Sequence, residues 1–119
     1  MQAIETGAVQ IEKIVRAFAD ELIKQLGDQI YEIIWYGSTA RGEATDDSDI
    51  DIAVISERDD YTFRDKVWTV SSGSSLIHDK LVDARIIAMD KYYGEWGRLS
   101  LLVDEIVKDG IVVWSRNTR

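Results

Sequence analysis

The strongest constraint on the fold is the alternation of two hydrophobic patterns along the chain. Segments with an apolar residue every three or four positions, typical of amphipathic helices, alternate with short β-branched runs, typical of buried strands. The first helical segment contains Ile11, with Thr6 as its expected N-cap and Gly27 as its expected stop. The strand runs span 30–35, 49–55, 81–88 and 111–114. The alternation predicts the order α-β-α-β-α-β-α-β.

Two helical segments carry weaker signals. A helix over 63–77 is expected, although the serine-rich stretch 71–75 weakens its middle. A last helix is expected over 99–107, with Gly110 as its cap. The region 92–97 between the third strand and this helix has no clear pattern.

Length and charge limit the classes of protein. With 119 residues, the chain is expected to form a single domain over 1–119. It has no Cys, no signal-peptide pattern and no apolar run of membrane-spanning length, so we expect a cytoplasmic protein with no membrane partner. The formal net charge of -8 argues against direct nucleic-acid binding through phosphates.

The second strand carries two carboxylates on one side. Side chains alternate along a strand, so Asp49, Asp51 and Ala53 share a face and the isoleucines between them share the other. We expect the apolar face to pack and the carboxylate face to stay open. Two carboxylates this close favour a divalent cation between them, Mg²⁺ or Mn²⁺ by the hardness of the ligands. The alternative is a solvated acidic turn.

Two other phosphate- or metal-binding motifs do not fit the same stretch. A calcium loop beginning at Asp47 fails because Ile52 replaces the required glycine and Arg58 the required glutamate. A P-loop beginning at Gly37 fails because Glu43 stands in place of its lysine. A strand that ends in a Gly-Ser turn can still present backbone N–H groups and a hydroxyl to phosphate.

The spacing of this turn from the carboxylates carries a family resemblance. Gly37-Ser38, ten further residues and then Asp49-Ile50-Asp51 reproduce the G-S-x10-D-x-D signature of the nucleotidyltransferase superfamily related to DNA polymerase β. The longer run 36–52 resembles the minimal nucleotidyltransferases, or MNT group. The resemblance implies an α+β fold of two layers, in which helices flank a mixed sheet of about four strands with an αβαβαβ core.

The family also implies a third carboxylate on a neighbouring strand. Asp83 is the best match because it lies inside the third strand, whereas Asp79 precedes the strand and Asp90 follows it. An ion pair between Asp83 and Arg85 is the structural alternative.

By resemblance, the carboxylates hold two Mg²⁺ or Mn²⁺ ions. Asp49 and Asp51 would bind both ions, and Asp83 would complete the site on the acceptor side and take the acceptor proton. Gly37 and Ser38 would hold the terminal phosphates of the nucleotide.

Arg41 and the remaining polar candidates are less constrained. Arg41 lies near the turn and could contact phosphate, or could form an ion pair with Glu43 or Asp47. The single histidine, His78, is expected at a helix end or on the surface. The four tryptophans are expected in the core or at an interface.

The resemblance implies a metal-dependent transfer of NMP to an acceptor hydroxyl, and AMP from ATP is the expected case. MNT proteins are often paired with HEPN-domain toxins and act as antitoxins that modify a toxin tyrosine with AMP. A non-catalytic module that neutralises its partner by contact is the main alternative, and a small-molecule (antibiotic) nucleotidyltransferase is a weaker one. The nucleotide base, the acceptor and the oligomeric state, including a homo-oligomer, stay open.

Overall fold

The computed structural model describes residues 7–45 and 47–117, which form five helices and four strands. The helices are α1 (Gly7–Leu26), α2 (Tyr61–His78), α3 (Met89–Tyr92), α4 (Glu95–Leu99) and α5 (Leu101–Asp109). The strands are β1 (Ile30–Tyr36), β2 (Ile50–Ser56), β3 (Val82–Ala88) and β4 (Ile111–Ser115). A short 3-10 turn, Gly27–Gln29, connects α1 to β1.

The strands form one mixed sheet in the order β3-β2-β1-β4. β1 pairs antiparallel with both β2 and β4, and β2 pairs parallel with β3. This arrangement confirms the predicted mixed sheet of about four strands with flanking helices. The register places Tyr36 opposite Asp51, and Asp51 opposite Asp83. Residues paired in this way point to the same face, so the sheet brings these three side chains together.

Both faces of the sheet are packed. α1 and α2 cover one face, where Phe18, Ile52 and Val67 are buried in the larger core cluster. The opposite face carries a smaller cluster that includes Ala53 and Ile106. The expectation that the carboxylate face stays open is therefore wrong for most of its length. α3 and α5 cover it, and only the end of the face where β2 and β3 begin is left to the carboxylates.

The serine-rich stretch does not interrupt α2, which is continuous from Tyr61 to His78. Ser71 Oγ donates to the carbonyl of Val82 at 2.5 Å, and Ser75 Oγ accepts from the N–H of Val82 at 2.9 Å. The serines therefore fasten α2 to the beginning of β3. His78, the last residue of α2, is exposed as expected.

The predicted last helix is wrong at its start. The chain leaves the helical conformation at Ser100, whose hydroxyl caps α5 by accepting from the N–H of Val103 at 3.2 Å. Leu99 therefore ends the separate helix α4. Gly110 does follow α5, but with an ordinary φ of -67°. A Cβ on Gly110 would lie 2.2 Å from the carbonyl oxygen of Ile106, so the close packing of this corner requires a glycine.

The other expectations about single residues have mixed outcomes. Thr6, the expected cap of α1, lies outside the described residues. Trp35 is buried and donates from Nε1 to Thr39 Oγ1 at 2.8 Å, whereas Trp68 and Trp96 are about half exposed. None of the helices in the described part of the chain is long and apolar enough to span a membrane.

Candidate active site

The turn after β1 presents two free backbone donors. The carbonyl of Gly37 accepts from the N–H groups of Ala40 and Arg41, both at 3.1 Å, which closes a short helical turn after the strand. The N–H groups of Ser38 and Thr39 have no acceptor among the described residues. These two groups stand at the positive end of the turn, where an anion is favoured.

Gly37 is required at its position for two independent reasons. Its φ of +81° lies in the left-handed region that L side chains rarely adopt. A Cβ there would also lie 2.4 Å from Asp51 Oδ2 and 3.2 Å from Asp51 Cγ. The Asp51 carboxylate therefore rests directly against the backbone of the Gly-Ser turn. A group bound to this carboxylate would adjoin a group bound by the turn.

The carboxylates beside the turn are poorly compensated by positive charge. Asp51 is half-buried, and burial is the main cause that raises the pKa of its carboxyl group. The negative charges of Asp83, Asp49 and Glu105 raise this pKa further, and the positive charge of Arg85 opposes them only in part. Such a site favours a proton or a cation.

Asp83 is the one of the three third-strand candidates that lies beside Asp51. It faces Asp51 in register on β3, whereas Asp79 follows α2 as its C-cap with φ +50° and Asp90 accepts from the N–H of Lys91 in α3. The alternative ion pair is also present, since Arg85 Nε lies 3.7 Å from Asp83 Oδ2. Both side chains are partly exposed, and a pair of this length is easily exchanged for another partner.

Arg41 is held by two carboxylates. Its NH1 donates to Asp109 Oδ2 at 2.5 Å, and its Nε donates to Glu43 Oε2 at 3.2 Å. These hydrogen bonds, that of Asp109 first, raise the pKa of the guanidinium above its usual value. The expected ion pair with Glu43 is thus observed. The main partner, Asp109, was not predicted; its side chain is buried at the end of α5.

Three residues near the site were missed by sequence reasoning. Tyr36 is buried opposite Asp51, and both its burial and that negative charge raise the pKa of its phenol. Glu105 acts on Asp51, and Asp109 binds Arg41. Glu105 and Asp109 are four residues apart on one side of α5, so their spacing was the signal that could have found them.

The donor set fits a hard divalent cation but does not enclose one. Within residues 7–45 and 47–117, no three His, Asp or Glu side chains come close enough to hold an ion by themselves. Mg²⁺ needs only one or two carboxylates and takes its other ligands from water and substrate phosphate. The carboxylates of Asp51 and of Asp49 or Asp83 provide that number, and all are oxygen donors.

The fold and the site together define a class of protein. A mixed sheet with a Gly-Ser turn after one strand and carboxylates at the start of the next two is the arrangement of a nucleotidyltransferase. Residues 13–113 match the family described as nucleotidyltransferase domain. The chain belongs to that family, which confirms the prediction of an enzyme that transfers nucleotides.

One relative of this chain is named for a reaction of the same kind. A protein of Methanocaldococcus jannaschii, named as a candidate protein adenylyltransferase, is 28% identical over 75 residues, which are 62% of this chain and 76% of that protein.

Two solved structures share the fold. A toxin–antitoxin complex with AMP-PNP matches with a TM-score of 0.61 and 22% identity, over 86% of this chain and 74% of that one. A chain from the complex of a tri-AMPylated HEPN toxin of Shewanella oneidensis with an MNT antitoxin matches with a TM-score of 0.51 and 22% identity. The match covers 85% of this chain and 72% of the chain in that complex. Both matches show that the chain shares its fold with proteins of toxin–antitoxin complexes.

Proposed function

We propose that this nucleotidyltransferase transfers AMP from ATP to a tyrosine hydroxyl of a HEPN-domain partner, and so acts as an antitoxin. The observation that carries the proposal is the contact between the Gly-Ser turn and Asp51, which joins a phosphate-binding element to a carboxylate site. The solved complexes of similar fold support the choice of nucleotide and partner, since one contains AMP-PNP and another an AMPylated HEPN toxin.

The triphosphate has a defined place in this proposal. The free N–H groups of the turn and the hydroxyl of Ser38 bind the terminal phosphates. Arg41 reaches the same phosphates by giving up one of its carboxylate partners, and a guanidinium can then bind two phosphate oxygens at once. Gly37 contributes by leaving room for the Asp51 carboxylate.

The transfer itself moves one nucleotidyl group. The acceptor oxygen forms a bond to the α-phosphorus of ATP, the bond from the α-phosphorus to the bridging oxygen breaks, and pyrophosphate leaves. The carboxylate of Asp83 takes the proton of the acceptor hydroxyl. Asp49 and Asp51 would hold two Mg²⁺ or Mn²⁺ ions and Asp83 would share one of them. When bound, these ions supply neutralisation of the negative charge that develops on the phosphates.

The test is a transfer assay with intact protein masses as the readout. The chain is incubated with each NTP in turn, Mg²⁺ and the product of its neighbouring gene. We expect a nucleotidyl group on that product, with ATP as the preferred donor, and release of pyrophosphate in equal amount. The variant Asp49→Asn with Asp51→Asn should give no adduct, although it still folds.

Two results would contradict the proposal. The absence of an adduct with every nucleotide, together with the absence of Mg²⁺-dependent ATP binding, would exclude the enzymatic role. If the double variant still neutralised the partner in cells, neutralisation would occur by contact, and the protein would act there as a binding module.

A further inference from the structure

The outer edge of β3 is the sheet edge nearest to the carboxylates. β3 and β4 are the two edges of the sheet in the order β3-β2-β1-β4. β3 carries Asp83 and lies next to β2, whereas β4 is two strands away from β2. At about 4.8 Å per strand, a segment added outside β4 would lie four strand spacings, about 19 Å, from β3 and Asp83.

The backbone of β3 points its hydrogen-bonding groups outward at alternate residues. The carbonyl of Leu81 accepts from the N–H of Ile50 in β2 at 2.9 Å, so residues 81, 83, 85 and 87 direct their groups towards β2. The residues between them direct theirs to the outer edge. At Val82 both outward groups are bonded by the serines of α2.

Beyond Val82 the edge is open. No described residue hydrogen-bonds to the outward N–H and C=O groups of Ala84 or Ile86. The side chains of both residues pack on the side covered by α2, with Ala84 buried and Ile86 half-buried. The packing holds these backbone groups in place, and such an edge accepts another strand.

The side chains along this edge form a row on the carboxylate face. Leu81, Asp83 and Arg85 alternate onto that face, and Leu81 and Arg85 are about half exposed. A residue of an added strand that stands opposite Asp83 would point to the same face, with its Cβ about 5 Å from that of Asp83. A tyrosine there carries its hydroxyl past the end of the carboxylate, whereas a serine hydroxyl would stop level with it.

We infer that the acceptor binds as an extended peptide segment that adds a fifth strand to the sheet at Ala84 and Ile86, with its tyrosine opposite Asp83. This inference rests on the proposed function and specifies how the acceptor is presented. Backbone pairing provides the affinity. The reach of the tyrosine side chain, whose hydroxyl extends past the Asp83 carboxylate, selects tyrosine over serine. Leu81 provides the apolar contact for the tyrosine ring.

The test uses a synthetic acceptor, the heptapeptide acetyl-Thr-Val-Thr-Tyr-Thr-Val-Thr-amide, and a series of analogues that each carry one N-methylated amide. N-methylation removes a single backbone donor. We expect AMP transfer to the parent peptide. The open groups of Ala84 and Ile86 lie on one side of Asp83, so methylation should matter only on the corresponding side of the peptide tyrosine. There, methylation at every second residue removes one hydrogen bond to β3 and should raise the KM about tenfold. The intervening positions should tolerate methylation.

A variant of the chain provides the reciprocal test. Ala84→Pro removes one outward N–H and leaves the bonds to β2 intact, since proline is tolerated on an edge strand in that orientation. It should raise the KM for the peptide about tenfold and leave ATP binding unchanged, with circular dichroism as the control for folding.

The outcomes separate the inference from the proposed function. Methylation effects without a period of two, or transfer to the neighbouring gene product but to none of the peptides, would overturn strand addition and leave the proposed function standing. Failure to modify either kind of acceptor, with no ATP binding, would overturn the proposed function itself.

Discussion

Replacement of Gly37 by alanine, compared with the same change at Gly42, separates backbone strain from damage to the site. Both glycines have a left-handed backbone, with φ of +81° and +77°. A non-glycine residue in this region costs about 1–2 kcal/mol. Each variant should therefore lose about 4–8 °C in melting temperature, at about 4 °C per kcal/mol for a domain of this size.

The two variants differ in what the new methyl group meets. At Gly42 no atom of the described residues lies within 4 Å of the place that a Cβ would take, whereas at Gly37 the Asp51 carboxylate is 2.4 Å away. The carboxylate is the end of a side chain and can rotate away from the methyl group, but it then leaves its place beside the turn, and Asp51 Cβ, 3.3 Å from the new methyl group, must also shift by a few tenths of an ångström. A displacement of about 1 Å at a reacting site costs on the order of 100-fold in rate.

The assay is AMP transfer measured beside thermal unfolding for both variants. We expect Gly42→Ala to retain most of its transfer activity and Gly37→Ala to lose about 100-fold, although the two lose similar stability. Equal activities in the two variants would show that the contact between Gly37 and Asp51 does not organise the site.

Three further changes test separate parts of the structure. Because the pKa of the Asp51 carboxyl is raised in the folded protein, the folded state loses stability as this group ionises with rising pH. Asp51→Asn removes that ionisation, so it should raise the melting temperature near pH 7 and flatten the pH dependence of unfolding. Ser71→Ala should cost about 1–3 kcal/mol in urea unfolding, since the outward carbonyl of Val82 loses its donor. Gly110→Ala should cost about 1–3 kcal/mol in the same assay, because the new methyl group would collide with the carbonyl oxygen of Ile106; a stability equal to that of the wild type would contradict the packing described.

The sequence could predict the parts of the site that lie close together along the chain. Gly37, Ser38, Asp49 and Asp51 fall within one strand-turn-strand unit, so their spacing alone indicates that they converge. The position of Asp83 required a further step. The family resemblance implied only that the third carboxylate lies on a neighbouring strand, and the structure shows that β3 pairs in parallel with β2, with Asp83 opposite Asp51.

The contacts that the sequence could not predict join distant segments. Asp109 lies 68 residues from Arg41, and no local pattern pairs them. The packing of the carboxylate face was also missed, because α3 and α5, which cover it, are far from β2 along the chain. A signal was nevertheless present in the sequence of β2. After Asp51 the carboxylate face of the strand becomes apolar as well, at Ala53 and Ile55, which are buried. A strand that is apolar on both faces is typical of one covered on both sides.

The most direct test of nucleotidyl transfer is the position of the phosphorus that reaches the acceptor. The chain, Mg²⁺ and the product of the neighbouring gene are incubated in parallel with ATP radiolabelled on the α-phosphate and with ATP radiolabelled on the γ-phosphate. We expect label to enter the acceptor only from the α-phosphate, and we expect the Asp49→Asn, Asp51→Asn double variant to transfer none. Label from the γ-phosphate on the acceptor would show phosphoryl transfer and exclude nucleotidyl transfer as the reaction observed.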